Sequence, residues 1–128
     1  MNPEWEALYQ TALAVAKPRK LSERMEAGWV GAAVLSAGGN LYTGVCIDTA
    51  CSLGMCAERS AIAAMLTAGE QEVRRVCAVS TEGRVLPPCG ACREFMAQMG
   101  EKAGEIEVLL DRTGRTARLR ELMPAGWY

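Results

Sequence analysis

Cys56-Ala57-Glu58-Arg59 and, further along, Pro87-Pro88-Cys89-Gly90-Ala91-Cys92-Arg93 bring together three thiols and a carboxylate at spacings that one metal ion can use. Cys89 and Cys92 form a C-x-x-C pair, close enough to grip one ion from the start of a helix. Cys56 precedes them by about the length of a helix, a strand and their loops. Three protein ligands leave the fourth tetrahedral position of a zinc ion open, the arrangement of a catalytic rather than a structural site. Glu58 is placed to handle protons for a water in that position. Helix N-termini suit thiolates, because the dipole and free N–H groups stabilise negative charge. A C-x-x-C pair also serves redox chemistry, but that motif normally follows the first strand of a βαβ unit and lacks a distant Cys-x-Glu partner.

Working outward, the segments on either side alternate between helix and strand. Trp5, Leu8, Tyr9, Ala12, Leu13 and Ala16 lie at helical spacing over residues 4–16. Lys17-Pro18-Arg19-Lys20 ends that helix, and residues 17–27 are predicted as a loop with a solvated basic cluster. Trp29 to Leu35 is a continuous apolar run, expected of a central strand covered on both faces. Ala37-Gly38-Gly39-Asn40 turns into a second strand, Leu41 to Ile47, and residues 48–55 read as a loop. An Ala-rich helix over residues 56–68 presents Ile62, Met65 and Leu66 on one side. Arg75 to Ser80 is a strand, and two prolines hold the next loop extended into a helix from Cys89 to about Met99. Glu107 to Leu110 and Thr116 to Leu119 complete the set as strands. The order α-β-β-α-β-α-β-β predicts an α/β fold, a five-stranded sheet with helices on its faces, formed by one domain over residues 1–128.

Composition narrows the chemistry. The chain has 128 residues, half of them apolar but only one Phe, so its core is aliphatic and rich in Ala and Met. A chain of that length buries about two thirds of its unfolded surface. With 14 basic and 15 acidic residues spread along it, the chain offers no nucleic-acid footprint and no membrane-surface patch. No apolar run approaches the ~20 residues that span a bilayer, and the polar start Met1-Asn2-Pro3-Glu4 does not read as a signal peptide. A cytoplasmic setting follows as the expectation, in which six cysteines serve as metal ligands or free thiols rather than as disulfides. There is no His, so Ser-His-Asp and Cys-His catalysis are excluded and a metal must be held by Cys, Asp or Glu. Cys46, Cys51 and Cys77 read as ordinary residues, Cys77 as core. A small neutral substrate suits the charge balance better than a polyanion.

C-A-E followed by P-C-x-x-C resembles the zinc-dependent nucleoside deaminases, specifically the small cytidine deaminase and blasticidin S deaminase group. The resemblance runs from about Trp29 to the C-terminus. It implies a three-layer α/β/α sandwich around a mixed five-stranded sheet, Zn2+ on Cys56, Cys89 and Cys92, and hydrolytic deamination of a cytosine-type amine. Glu58 would take a proton from the attacking water and pass protons to ring N3 and the departing amine, so both its protonation states must be reachable. Zinc with three thiolates sums to −1; Arg59 matches the position at which cytidine deaminases carry an Arg that draws this charge back. Blasticidin S deaminases place an Arg inside the C-x-x-C, where this chain has Ala91.

The pattern departs elsewhere. The family's ribose-binding Asn-x-Glu aligns with Cys46 and Asp48, and its Phe-Pro-Val-Gly-Ala-Ala with Gly28-Trp29-Val30-Gly31-Ala32-Ala33. A thiol lacks the two donors and the acceptor of an amide, so the ring chemistry carries over more safely than the sugar. Cys46, Asp48, Ala57, Trp127 and Tyr128 are the candidate substrate-binding positions. The resemblance also implies a homotetramer, in which Trp127 or Tyr128 covers a substrate pocket of its own subunit or a neighbour. The substrate is expected to be cytidine, deoxycytidine or a modified cytosine nucleoside. The alternatives are another amino-heterocycle, a blasticidin-type antibiotic, or an inactive zinc-stabilised domain.

Overall fold

In the computed structural model, which describes residues 1–127, the apolar runs become a mixed sheet with helices on both faces. Helix α1 (Pro3–Val15) is followed by strands β1 (Arg19–Ser22), β2 (Met25–Ser36) and β3 (Leu41–Thr49), and then helix α2 (Ala57–Thr67). Strand β4 (Val73–Ser80), helix α3 (Gly90–Ala97) and strands β5 (Glu107–Leu109) and β6 (Thr116–Arg118) complete the order. Strand β2 pairs antiparallel with β1, β3 and β4, and β4 pairs parallel with β5 across the α3 crossover.

Side-chain alternation along the strands divides the core in two, because successive residues of a strand point to opposite faces. Ala33, Cys77 and Val79 face Trp5, Leu8, Tyr9 and Ala12 of α1. Ala32, Val34, Val76 and Ala78 face Ala61, Ile62 and Met65 of α2 and Met96 of α3. The result is the expected three-layer sandwich. Burying Ile62 and Met65 completely contributes roughly 1.5–3 kcal/mol each. Leu66, expected on that same stripe, is instead 46% exposed.

The outer side of α1 is fastened by two arginines from distant segments. Arg75 reaches Glu4 at 2.5 Å and lies 5.2 Å from the centre of the Trp5 ring. Arg112 makes two 2.8 Å contacts with the Glu6 carboxylate and sits 4.1 Å from the centre of the Tyr9 ring. Tyr9 also donates its hydroxyl to the Gly83 carbonyl at 2.7 Å.

Three expectations change. Residues 17–27 are not a loop: β1 and the first residues of β2 form a hairpin there, so the sheet has six strands rather than five. Four exposed residues of an edge strand carry no burial pattern to announce it. Strand β3 runs on to Thr49, placing Asp48 on a strand rather than in a loop. Cys56 and Cys89 are not in the first helical turn but immediately before it, at the N-cap positions of α2 and α3.

Candidate metal centre and pocket

The two helices of the site begin where their sequences dictate. Cys56 and Cys89 have extended backbones (φ −72°, ψ 154° and φ −68°, ψ 170°) that switch to helix at the next residue. N-cap residues face the unpaired N–H groups of the first turn. Helix α2 can lie this close to β3 because Gly44 has no side chain: a Cβ there would meet the Ala61 nitrogen at 2.2 Å.

The sulfurs of Cys56, Cys89 and Cys92 all lie within 4.8 Å of one another, and those of Cys56 and Cys89 are 3.3 Å apart. All three are free thiols. Cys92 is fully buried, and burial, then the charges of Glu58, Cys56 and Cys89, push its thiol far up. Burial likewise raises Cys56, opposed by the Arg59 guanidinium. Cys89 goes the other way: burial would raise it, but N–H groups at Cys92 and Ala91 and the neighbouring thiols outweigh that and hold it low. Three converging sulfurs repel one another when ionised unless a cation sits between them. The donor set therefore fits zinc, with three sulfur ligands and one position to spare.

Glu58 is only 5% exposed, next to the thiols, and burial raises its carboxyl above the usual range against the pull of its own N–H and Arg59. Cys56 above all, and Cys92 after it, raise the affinity of the Arg59 guanidinium for its proton, while burial opposes them. Arg93, beyond the C-x-x-C, donates to the Pro88 carbonyl at 2.8 Å and to the Leu122 carbonyl at 3.4 Å, tying the loop before α3 to the C-terminal segment.

A cavity of about 300 Å³ opens on this group, with Cys56, Cys89, Ala57 and Glu58 at its base and Trp29 and Asp48 among the residues of its wall. The sequence model described as the cytidine and deoxycytidylate deaminase zinc-binding region matches residues 3–106. The chain belongs to that deaminase family. A cytidine deaminase of Mycobacterium tuberculosis is 33% identical over 96 residues, which span 74% of this chain and 69% of the relative. Another from Halalkalibacterium halodurans is 40% identical over 72 residues, and there the match spans only 54% of the relative. The crystal structure of the M. tuberculosis cytidine deaminase superposes with a TM-score of 0.81 at 29% identity, covering 99% of both chains. That of Burkholderia pseudomallei gives 0.75 at 30% identity, covering 99% of this chain and all of the other.

Against this deaminase background the outer wall stands out. Where β2 passes the cavity its pairing with β3 slips: Ala27 opposes Ile47 but the next partners are Gly31 and Val45, so residues 28–30 bulge. Gly28 has φ +90°, and a Cβ there would meet the Lys17 carbonyl oxygen at 1.9 Å, so the family's Phe has no room at this position. Trp29 follows, 48% exposed, with its indole N–H donated to Glu26 at 3.0 Å. Val30 has no partner on β3 in the bulge, though it still opposes Ser80 on β4, and its N–H is taken up by the Cys46 sulfur at 3.2 Å. The Cys46 thiol in turn points to Asp48 at 3.8 Å. Cys46 thus lines the cavity while both its hydrogen-bonding roles are used within the protein.

The candidate positions therefore divide. Ala57, Cys46 and Asp48 line the cavity; Trp127 does not. Its side chain is 74% exposed and its indole N–H is donated to Glu94 of α3. Tyr128 lies outside the described residues. Trp29, quoted in the sequence as part of a strand and of the stretch that departs from the family's pattern, lines the cavity although it is not among the candidate binding positions. One signal existed: a large aromatic directly after glycine in a run of small aliphatic residues.

Proposed function

We propose that this chain is a zinc-dependent hydrolytic deaminase that converts a cytosine-type amine to the uracil-type product with release of ammonia. The observation that carries the reading is a nearly buried carboxyl, Glu58, beside three converging thiols at the base of an open cavity. Cys56, Cys89 and Cys92 would hold the ion. Bound zinc supplies Lewis acidity, which makes a water molecule nucleophilic near neutral pH.

The remaining work falls to the chain. Glu58, with a carboxyl raised by burial, can accept one proton from the attacking water and deliver it to ring N3, then take the second proton from the hydroxyl now bonded to the ring and deliver it to the leaving amine. One group performs both transfers because the ring and the water meet the same carboxyl. Arg59, turned to Cys56 and Cys92, offsets the negative charge of the thiolates. Leu86 and Pro87 give the cavity an apolar wall on the side of the Cys89 loop.

We further read residues 1–128 as one domain working in the cytoplasm as a homotetramer. Trp127, exposed in the C-terminal segment beside Glu94 of α3 and outside the lining of its own cavity, supports a tail that acts on a neighbouring subunit. No described helix is long and apolar enough to cross a membrane.

A spectrophotometric panel of aminated heterocycles, with ammonia measured independently, tests the reaction. Turnover of cytosine nucleosides that disappears with Glu58→Gln is the expected result. Zinc-loaded protein that deaminates none of them would overturn it.

A further inference from the structure

We propose that Trp29 is a specificity-determining residue of this cavity, and that with Asp48 it selects rings whose N1 substituent carries a positively charged amine. The proposal rests on the deaminase reading and narrows its substrate class.

Trp29 is held rather than merely exposed. Its indole N–H is tied to Glu26, and its backbone lies in a bulge fixed by Gly28 on one side and by the Val30–Cys46 hydrogen bond on the other. Half of the side chain remains exposed, and it lines the same cavity as Glu58. Asp48 stands on the adjacent strand with an exposed carboxylate, and its direct cross-strand partner is Glu26. Two carboxylates directly opposite each other are unfavourable unless a positive group comes near. Among the described residues, no Lys or Arg lines the cavity. Lys20 is the cross-strand neighbour of Glu26 on β1, but its ammonium is engaged by Glu23 at 3.0 Å. Arg59 borders the crevice on the other side of Asp48 and does not line the cavity itself.

Such a wall discriminates by charge. A cation gains both from the indole face and from the carboxylate. A neutral hydroxyl gains only a hydrogen bond to Asp48. An anion is repelled by both. An amine over an indole face binds about 3- to 30-fold more tightly than without it, depending on desolvation. A ribose would not exploit Trp29, and Cys46, committed to Val30, cannot stand in for an amide.

The test uses three cytosines substituted at N1 with aminopropyl, hydroxypropyl or carboxyethyl groups, and the three matching uracils. Deamination kinetics on the zinc-loaded protein give kcat and KM; calorimetric titration with the uracils gives Kd without turnover. KM and Kd should both rise from amino to hydroxyl to carboxylate, by about tenfold at the first step, with kcat little changed. Trp29→Ala should remove most of that first step, Trp29→Phe should keep part of it, and circular dichroism checks that both variants fold. Equal Kd for the amino and hydroxyl ligands, an unchanged preference in Trp29→Ala, or no binding by any of the three would overturn the proposal. Ligands that bind in the expected order without any turnover would leave Trp29 standing and sink the deaminase reading; brisk turnover without the order would do the reverse.

Discussion

The base of the cavity, Cys56, Glu58, Cys89 and Cys92, is set by two helix starts, whereas its outer wall, Trp29, Cys46 and Asp48, is set by a bulge between two strands. At the base each ligand is placed by its own few residues: an extended N-cap, then a helical turn. At the wall the placement also reaches across distant segments. Trp29 depends on Gly28, Gly28 on the Lys17 carbonyl, and Val30 on Cys46 sixteen positions later. The base can therefore tolerate sequence drift around it, provided the motifs stay. The wall can be rebuilt by changing the bulge, which leaves the reaction alone and alters what is admitted to it.

Breaking the base should have the largest effect. Cys92→Ala removes a fully buried thiol of the proposed zinc site, and because binding energy at such a site is also folding energy, zinc and stability should be lost together. Cys77→Ala, an equally buried thiol held at a pKa of about 12 within the α1-side core, should keep its zinc and lose only packing. Elemental analysis with thermal melts of both variants separates the two; retention of one zinc per chain by Cys92→Ala would remove it from the ligand set.

Next in size is Glu58→Gln. The amide is nearly isosteric, so zinc content should be unchanged while the rate drops at least ~10²-fold, the usual scale for a positioned general acid–base. Near-normal turnover would move the proton shuttle elsewhere.

The wall is broken more gently by Gly28→Ala. A side chain at φ +90° is strained, and its Cβ would press on the Lys17 carbonyl, so a loss of roughly 1–3 kcal/mol is expected. Gly39→Ala, also at positive φ (+86°) but with nothing within 4 Å, should cost less, about 1 kcal/mol. Equal denaturation midpoints for the two variants would mean that the β1 hairpin does not brace the bulge.

The smallest effect is expected from deleting Trp127 and Tyr128. Activity should fall a few-fold with thermal stability nearly unchanged, since these residues are read as acting on a neighbouring pocket. Light scattering that gives a monomer of about 14 kDa (the chain is 13.8 kDa), with unaltered kinetics, would dismiss that role.

What could be read from the chain follows the same division. The clustering of the three thiols was legible because C-x-x-C and Cys-x-Glu are short, and helix N-caps turn short spacings into geometry. The layer order was legible from the apolar runs of β2 and β4. The β1 hairpin was not, since Arg19-Lys20-Leu21-Ser22 is exposed throughout and pairs only because β2 offers it an edge. The part played by Cys46 was also hidden: a thiol aligned with an amide suggests a lost ligand contact, and only the bulge reveals the unpaired N–H that it satisfies. Leu66 shows a third limit, because a helical stripe fixes direction but not how far the sheet extends beneath it.

The arginine fastenings of α1 carry a consequence for how the molecule is made. Glu4 and Arg75 are separated by 71 positions, and Glu6 and Arg112 by 106. At synthesis speeds of 5–20 residues per second, roughly 5–20 s pass between the appearance of Glu6 and that of its clamp. Throughout that interval the apolar stripe of Trp5, Leu8 and Tyr9 lacks part of its cover, and short helices of this length are marginal alone. Of the described elements, the earliest synthesised is thus among the last to be locked in place. Nascent chains stalled before Asp111 should be cut by protease within residues 3–15, and chains released at full length should resist.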